Sequence, residues 1–135
     1  MKRVILVTGS RDWVDDQVVR MALLRHASES LPNVVREGEA PGLDRIAARV
    51  ARDLGWEVEA FPADWKRGRS AGPRRNQKMV DAEPKPDYCL VFPMLRSIGT
   101  YDCAVRAWLA GINVVYFHGP GVTRAICDRG FEQAK

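Results

Sequence analysis

Val4-Ile5-Leu6-Val7-Thr8-Gly9-Ser10 is the stretch on which the fold turns. Four apolar residues in a row, with no polar alternation, predict a strand buried on both faces, the condition of a parallel sheet covered by helices on either side. Thr-Gly-Ser then breaks the run in a tight turn. The same unit recurs downstream. Asp15 to about Glu29 carries Val18, Val19, Ala22 and Leu23 on one helical stripe. Val34-Val35 is a short second strand stopping at Gly38, and Leu43–Leu54 is a stronger helix with Ile46, Ala47, Val50, Ala51 and Leu54 inward and Gly55 beyond its end. Glu57–Phe61 alternates as a third strand. A helix is expected from Arg75 through Met79 and Val80, a fourth strand over Tyr88–Phe92, a helix over Asp102–Ala110 closed by Gly111, and a fifth strand over Asn113–Phe117. After Gly121 the pattern supports one more helical turn. Strands alternating with helices across short links give right-handed βαβ units. The expectation is an α/β chain: one three-layer Rossmann-like domain over residues 1–135, with a parallel sheet of about five strands.

In such a sheet ligands bind beyond the carboxyl ends of the strands, near the point where strand order reverses. That rule singles out Gly9, Ser10 and Arg11 after the first strand, and Gly38 to Asp44 after the second. After the third come Asp64, Trp65 and a basic run, and after the fourth Pro93 to Thr100. The basic run also explains the charge. The formal net charge is +4, but six of the 21 Lys and Arg residues lie between Trp65 and Lys78, where there is no acid. Elsewhere 15 cations face 17 carboxylates, a slightly acidic remainder. Lys66, Arg67, Arg69, Arg74, Arg75 and Lys78 repel one another unless an anion is near, and Gly68, Gly72 and Pro73 bring backbone close to it.

Each motif has a structural and a functional reading. The glycine of Thr8-Gly9-Ser10 lets backbone N–H groups face an anion, or the turn is plain and Ser10 or Asp12 caps the next helix. Asp44 is either a first-turn carboxylate favoured by the helix dipole or an acceptor for ribose hydroxyls. Gly99-Thr100 opens a helix, where free N–H groups and a hydroxyl suit a phosphate, and Thr100 is equally an N-cap. Cys103 reads as a small packing residue. Several familiar chemistries are excluded. There is no G-x-G-x-x-G fingerprint, and Gly38–Asp44 lacks the Lys-Ser/Thr pair of a P-loop. Gly68-Arg69-Ser70-Ala71-Gly72 matches G-x-S-x-G, with Asp87 and His118 following, but a nucleophile elbow comes directly off an apolar strand and this serine does not. Three cysteines without a C-x-x-C pair, and two distant histidines, give no metal site and no disulfide framework. No apolar run reaches the roughly 20 residues of a membrane span, and the N-terminus lacks the apolar length of a signal peptide. A cytoplasmic protein that does not engage membranes is expected.

Taken together, Val7-Thr8-Gly9-Ser10-Arg11-Asp12-Trp13, Gly38 to Asp44, Ala63-Asp64-Trp65, Gly72 to Met79 and Gly99-Thr100-Tyr101-Asp102 resemble the SLOG superfamily, in its YspA/YpsA-like branch. The resemblance implies a Rossmann-like domain that binds nucleotides or nucleotide-derived ligands, with no further cofactor, and homodimers. Some relatives, the "lonely guy" phosphoribohydrolases, cleave the N-glycosidic bond of nucleoside monophosphates. Another group, DprA/Smf, handles single-stranded DNA. The enzymes carry R-K-x-x-M, G-G-x-x-x-G-L-M and P-G-G-x-G-T-x-x-E. Here Arg75 and Met79 of the first survive, as does G-x-x-x-G-L at Gly38–Leu43, with Asp44 in place of Met. Of the third only Gly99-Thr100 remains, and Cys103 stands where the catalytic Glu would be. Asp102 precedes it by one residue, about 100° around a helix. A neutral thiol does not stabilise an oxocarbenium-like state as a carboxylate does.

The leading expectation is therefore a binder of a nucleotide-derived phosphate: a sensor, a sequestering protein or a vestigial enzyme. Its site would draw on Gly9, Ser10, Arg11, Gly38, Gly42, Asp44, Asp64, Trp65, Arg74, Arg75, Asn76, Gly99 and Thr100. Phosphate would lie between Gly99-Thr100, Gly9-Ser10 and Arg75, and Trp13 or Trp65 would stack on the base. The alternative is a phosphoribohydrolase using Arg75 and Asp102. A third reading, single-stranded nucleic-acid binding through Lys66–Lys78, is weakened by the acidic remainder.

Overall fold

A computed structural model describes residues 1–135. The elements run β1 (Arg3–Gly9), α1 (Asp16–His26), β2 (Asn33–Glu37), α2 (Leu43–Asp53) and β3 (Glu57–Ala60). After a 3₁₀ turn at Trp65–Arg67 come α3 (Ala71–Asp81), β4 (Tyr88–Phe92), α4 (Ile98–Leu109), β5 (Asn113–Tyr116) and α5 (Arg124–Ala134). All neighbouring strands pair in parallel, in the order β3-β2-β1-β4-β5. The α/β Rossmann-like architecture expected from the alternation is the one observed.

Val4 to Val7 are all inaccessible to water, and successive residues face opposite layers. Ile5 and Val7, with Val35, Leu90 and Phe92, pack against Val19, Leu23, Ala47 and Ala51 of α1 and α2. Leu6, with Cys89 and Val91, packs against Met79 and Val80 of α3 and Cys103, Ala104 and Ala107 of α4. α5 lies on α4 through Tyr101, Val122 and Cys127. No helix is long and apolar enough to cross a membrane.

Several boundaries differ from the sequence expectation, each for a local reason. α3 starts at Ala71, not Arg75, because Gly72 and Pro73 fall in its first turn, where a missing proline N–H has no intrahelical partner to lose. α4 starts at Ile98, not Asp102, with Ser97 at its N-cap position. α1 ends at His26, and its cap is Asp15, whose carboxylate accepts from Gln17 and Val18 N–H. Ser10 Oγ instead accepts from Asp12 N–H. α5 runs far beyond one turn because Cys127 buries against the Tyr101 and Val122 cluster.

β2 also runs further than Val34-Val35, through two fully buried charged residues, Arg36 and Glu37. Arg36 survives there because every side of its guanidinium has an acceptor: Glu59 at 2.9 Å, and the carbonyls of Met79, Ala82 and Pro84 at 2.8, 3.0 and 3.0 Å. It ties the end of α3 to the sheet. Replacing it by Met strands those acceptors, and Arg36→Met should lower the unfolding free energy by about 3 kcal/mol, read as a lower urea midpoint at unchanged m-value.

Glu37 accepts from Glu39 N–H through both oxygens at 3.1 Å and lies near Asp44 at the start of α2. Burial, and secondarily the Asp44 carboxylate, pushes Glu37 up to about 7. Burial likewise pushes Asp44 up to about 6, against the pull of the Ala40 N–H, Arg75 and the Gly38 N–H. In the unfolded chain both titrate at about 4. Between those values the folded state holds protons that the unfolded chain has released, so stability falls as pH rises through this window. Chemical unfolding should show a loss on the order of 4 kcal/mol from pH 5 to pH 8. Glu37→Gln should remove most of that slope; a slope that survives in the variant would assign it to other groups.

Candidate functional site

β1 lies between β2 and β4, and its neighbours' helices leave to opposite layers: α1 and α2 to one, α3 and α4 to the other. The crevice that this reversal opens at the carboxyl ends of β1 and β4 is a cleft of about 510 Å³.

Its floor is backbone packed on backbone. The turn after β1 meets the start of α2, where Leu43 N–H donates to Ser10 carbonyl at 3.1 Å. Gly9 abuts Leu43 and the Phe92 carbonyl, and a Cβ there would overlap both. Gly42, at φ 77°, abuts the carbonyls of Ser10 and Arg11, leaving no room for a side chain in a conformation that disfavours one.

One wall carries Asp44, 6% exposed. Its Oδ2 accepts from Gly38 N–H at 3.1 Å and Ala40 N–H at 3.3 Å. Its Oδ1 is buried and has no hydrogen-bond partner. The opposite wall is the first turn of α4. The N–H groups of Ile98, Gly99 and Thr100 precede the first intrahelical bond, Tyr101 N–H to Ser97 carbonyl. The Ser97 side chain offers no cap, being turned back to donate to Met94 carbonyl and accept from Met94 N–H. The result is a bare helix N-terminus with the polarity that attracts anions.

Four guanidinium groups line the cleft: Arg11, Arg69, Arg75 and Arg96. Arg11, Arg69 and Arg96 have no carboxylate within ion-pair distance. Arg11 sits 5.8 Å over the Trp65 ring, which is 54% exposed at the rim. Arg75 is largely committed to the protein: it donates to the carbonyls of Gly38 and Phe61 and to Asn76 Oδ1. Asn76 in turn donates to Gly99 carbonyl at 3.2 Å and to Asp102 Oδ2 at 2.9 Å, and Arg106 Nε donates to that same oxygen at 2.9 Å.

The structure thus brings Gly9, Ser10, Arg11, Asp44, Trp65, Arg75, Asn76, Gly99, Thr100 and Asp102 together around one cleft. Gly38, Gly42, Asp64 and Arg74 do not line it. Gly38 and Gly42 lie behind the wall, supporting Arg75 and the β1 turn. Asp64 and Arg74 line a separate groove of about 370 Å³ with Arg67 and Lys78, which Arg75 borders as well. Trp13 corrects the expectation of a stacking residue: it is 3% exposed, packs edge-on to Phe92, and donates from its indole to Asp15 carbonyl. Cys103 is fully buried in the core against α3 and β4, as a packing residue. Arg69 and Arg96 line the cleft beyond the expected residues. Arg69 lies in the basic run, whereas a lone arginine in the loop after β4 carries no motif.

Comparison with known proteins places this arrangement. The sequence profile of YAcAr, the YspA, cpYpsA-related SLOG family, matches residues 3–68. The Gene 61 protein of Mycobacterium phage D29 is 43% identical over 122 residues, covering 85% of this chain and 96% of that protein. Among solved structures, DNA processing protein A (DprA) from Streptococcus pneumoniae matches with a TM-score of 0.64 over 97% of this chain. At 19% identity that likeness is one of fold, and the chain spans 55% of that protein's length. The chain belongs to the YspA, cpYpsA-related SLOG family.

Proposed function

We propose that the cleft binds the phosphate-bearing end of a nucleotide-derived ligand, and that binding rather than turnover is its task. One observation carries this reading. Three arginines without carboxylate partners and a bare helix N-terminus converge on one cleft, facing a buried aspartate with a free oxygen. The cations and the α4 N–H groups suit a phosphate. Asp44 Oδ1 suits a hydroxyl donor such as a ribose 2′- or 3′-OH, and Trp65 at the rim suits a base. Each charge-assisted bond contributes about 1.5–3 kcal/mol, and micromolar affinity corresponds to about 8, so the donors must act on one anion together. Of the three unpaired arginines the basic run of the sequence supplies only Arg69.

Titration calorimetry with mononucleotides tests the assignment. Saturable binding is expected, weakened at least tenfold in the Arg69→Ala/Arg96→Ala double variant, whose substitutions lie outside the core. Asp44→Asn should weaken nucleosides with a free ribose diol far more than 2′,3′-dideoxy analogues, because the amide presents a donor where the ligand needs an acceptor. Equal losses for both ligands would remove Asp44 from the ribose subsite.

An N-glycosidic hydrolase using Arg75 and Asp102 is the second reading, supported by the place of Asp102 on the cleft wall. Against it, one oxygen of Asp102 is shared by Asn76 and the Arg106 cation, which lowers the negative charge available to an oxocarbenium-like state. No free base should be released from nucleoside monophosphates over prolonged incubation. Release that disappears in Asp102→Asn would establish the enzymatic reading instead.

A further inference from the structure

The first turn of α4 has space on both of its sides. Beyond the loop that joins β4 to α4 a second cavity of about 330 Å³ opens between α4 and α5, and Arg96, Ser97 and Ile98 line both spaces. The two differ in character. The cleft is polar and holds four arginines. The second cavity is half apolar, with Met94, Ile126 and Ala134 on its walls and Arg129 and Gln133 at its edge.

Arg96 stands at the junction. It is one of two non-glycine residues with positive φ, at 65°, a conformation uncommon for a side-chain-bearing residue. It has no carboxylate partner, and it stands two residues before the bare first turn of α4. An anion held at this place would have space on both sides of it, which a terminal phosphate does not need. The α5 wall is firmly seated: Gly130 lies so close to the Tyr101 ring that a Cβ would overlap it.

We propose that the cleft and the α4–α5 cavity are two halves of one site, and that its ligand is a two-part phosphate compound. The nucleoside occupies the cleft and the bridging phosphate lies at Arg96 and the α4 N-terminus. A second, less charged group, joined through that phosphate, occupies the α4–α5 cavity. Each space lies within the ~300–1,000 Å³ of small-molecule pockets, and the wall they share, lined by Arg96, Ser97 and Ile98, is where a bridging phosphate would lie. This inference rests on the reading of the cleft as a nucleotide-phosphate site.

Calorimetry of the full chain with three probes separates the two readings: AMP, a pyrophosphate-bridged dinucleotide (NAD⁺) and a phosphodiester-bridged one (ApA). At least one bridged compound should bind tenfold or more tighter than AMP, and which of them does so defines the bridge. Gln133→Trp, which fills the second cavity from an exposed position, and Arg129→Glu should each return that compound to the affinity of AMP while leaving AMP itself unchanged. If AMP binds but neither bridged compound gains, or if the gain survives Gln133→Trp, the two-part site is overturned and the cleft assignment stands. If none of the three binds, both fall.

Discussion

Everything in this structure follows from the dryness of β1. Four consecutive side chains without water on either face require a layer of helices on each side and a strand on each edge. Right-handed crossovers then leave few arrangements. The chain lays β2 and β3 on one side of β1 with α1 and α2 over one face. It then has to cross to the other side of β1 to cover the second face with α3 and α4. The gap between the diverging connections is the cleft. The site is therefore a consequence of the core's geometry before any functional side chain is considered.

That geometry leaves the cleft with little freedom at its floor. The turn after β1 and the start of α2 touch through backbone atoms at Gly42, and Gly9 lets the turn close on the Leu43 side chain and the Phe92 carbonyl. Such contact leaves the two loops no slack. The backbone positions that carry Arg11 and Asp44 are then fixed relative to one another, which is part of the preorganisation that a small ligand requires. Asp44 shows the cost of this arrangement. Its two backbone donors satisfy one oxygen and hold the carboxylate in place, while burial leaves the other oxygen without a partner and raises the group's affinity for protons.

Periodicity revealed the layers well and the exceptions poorly. The run Val4–Val7, the stripe of α2 and the apolar Tyr88–Phe92 strand carry enough regular signal to place three of the five strands and helices that bound the cleft. Arg36 and Glu37 were invisible, because a buried guanidinium is stable only where carbonyls from the end of α3 arrive to meet it, and local sequence does not announce a tertiary partner. The start of α3 was hidden for the opposite reason: Gly72 and Pro73 signal a loop, yet in a first turn neither forfeits an intrahelical bond. Trp13 is ambiguous in the sequence because an aromatic beside a glycine turn serves as ligand contact or as core, and only packing against Phe92 decides.

The same limit governs the charge. Along the sequence, six cations between Trp65 and Lys78 look like one basic site. In the fold they divide: Arg69 lines only the cleft, Arg74 and Lys78, i and i+4 on α3, line the second groove with Arg67, and Arg75 borders both. The cleft makes up its positive field from elsewhere, taking Arg11 from the turn after β1 and Arg96 from the loop after β4. These two loops flank the point where strand order reverses. The anion site thus owes less to a basic motif than to the sheet order, which brings together arginines 85 residues apart in the chain. A linear count of charge finds the excess, but only the topology decides which charges share a field.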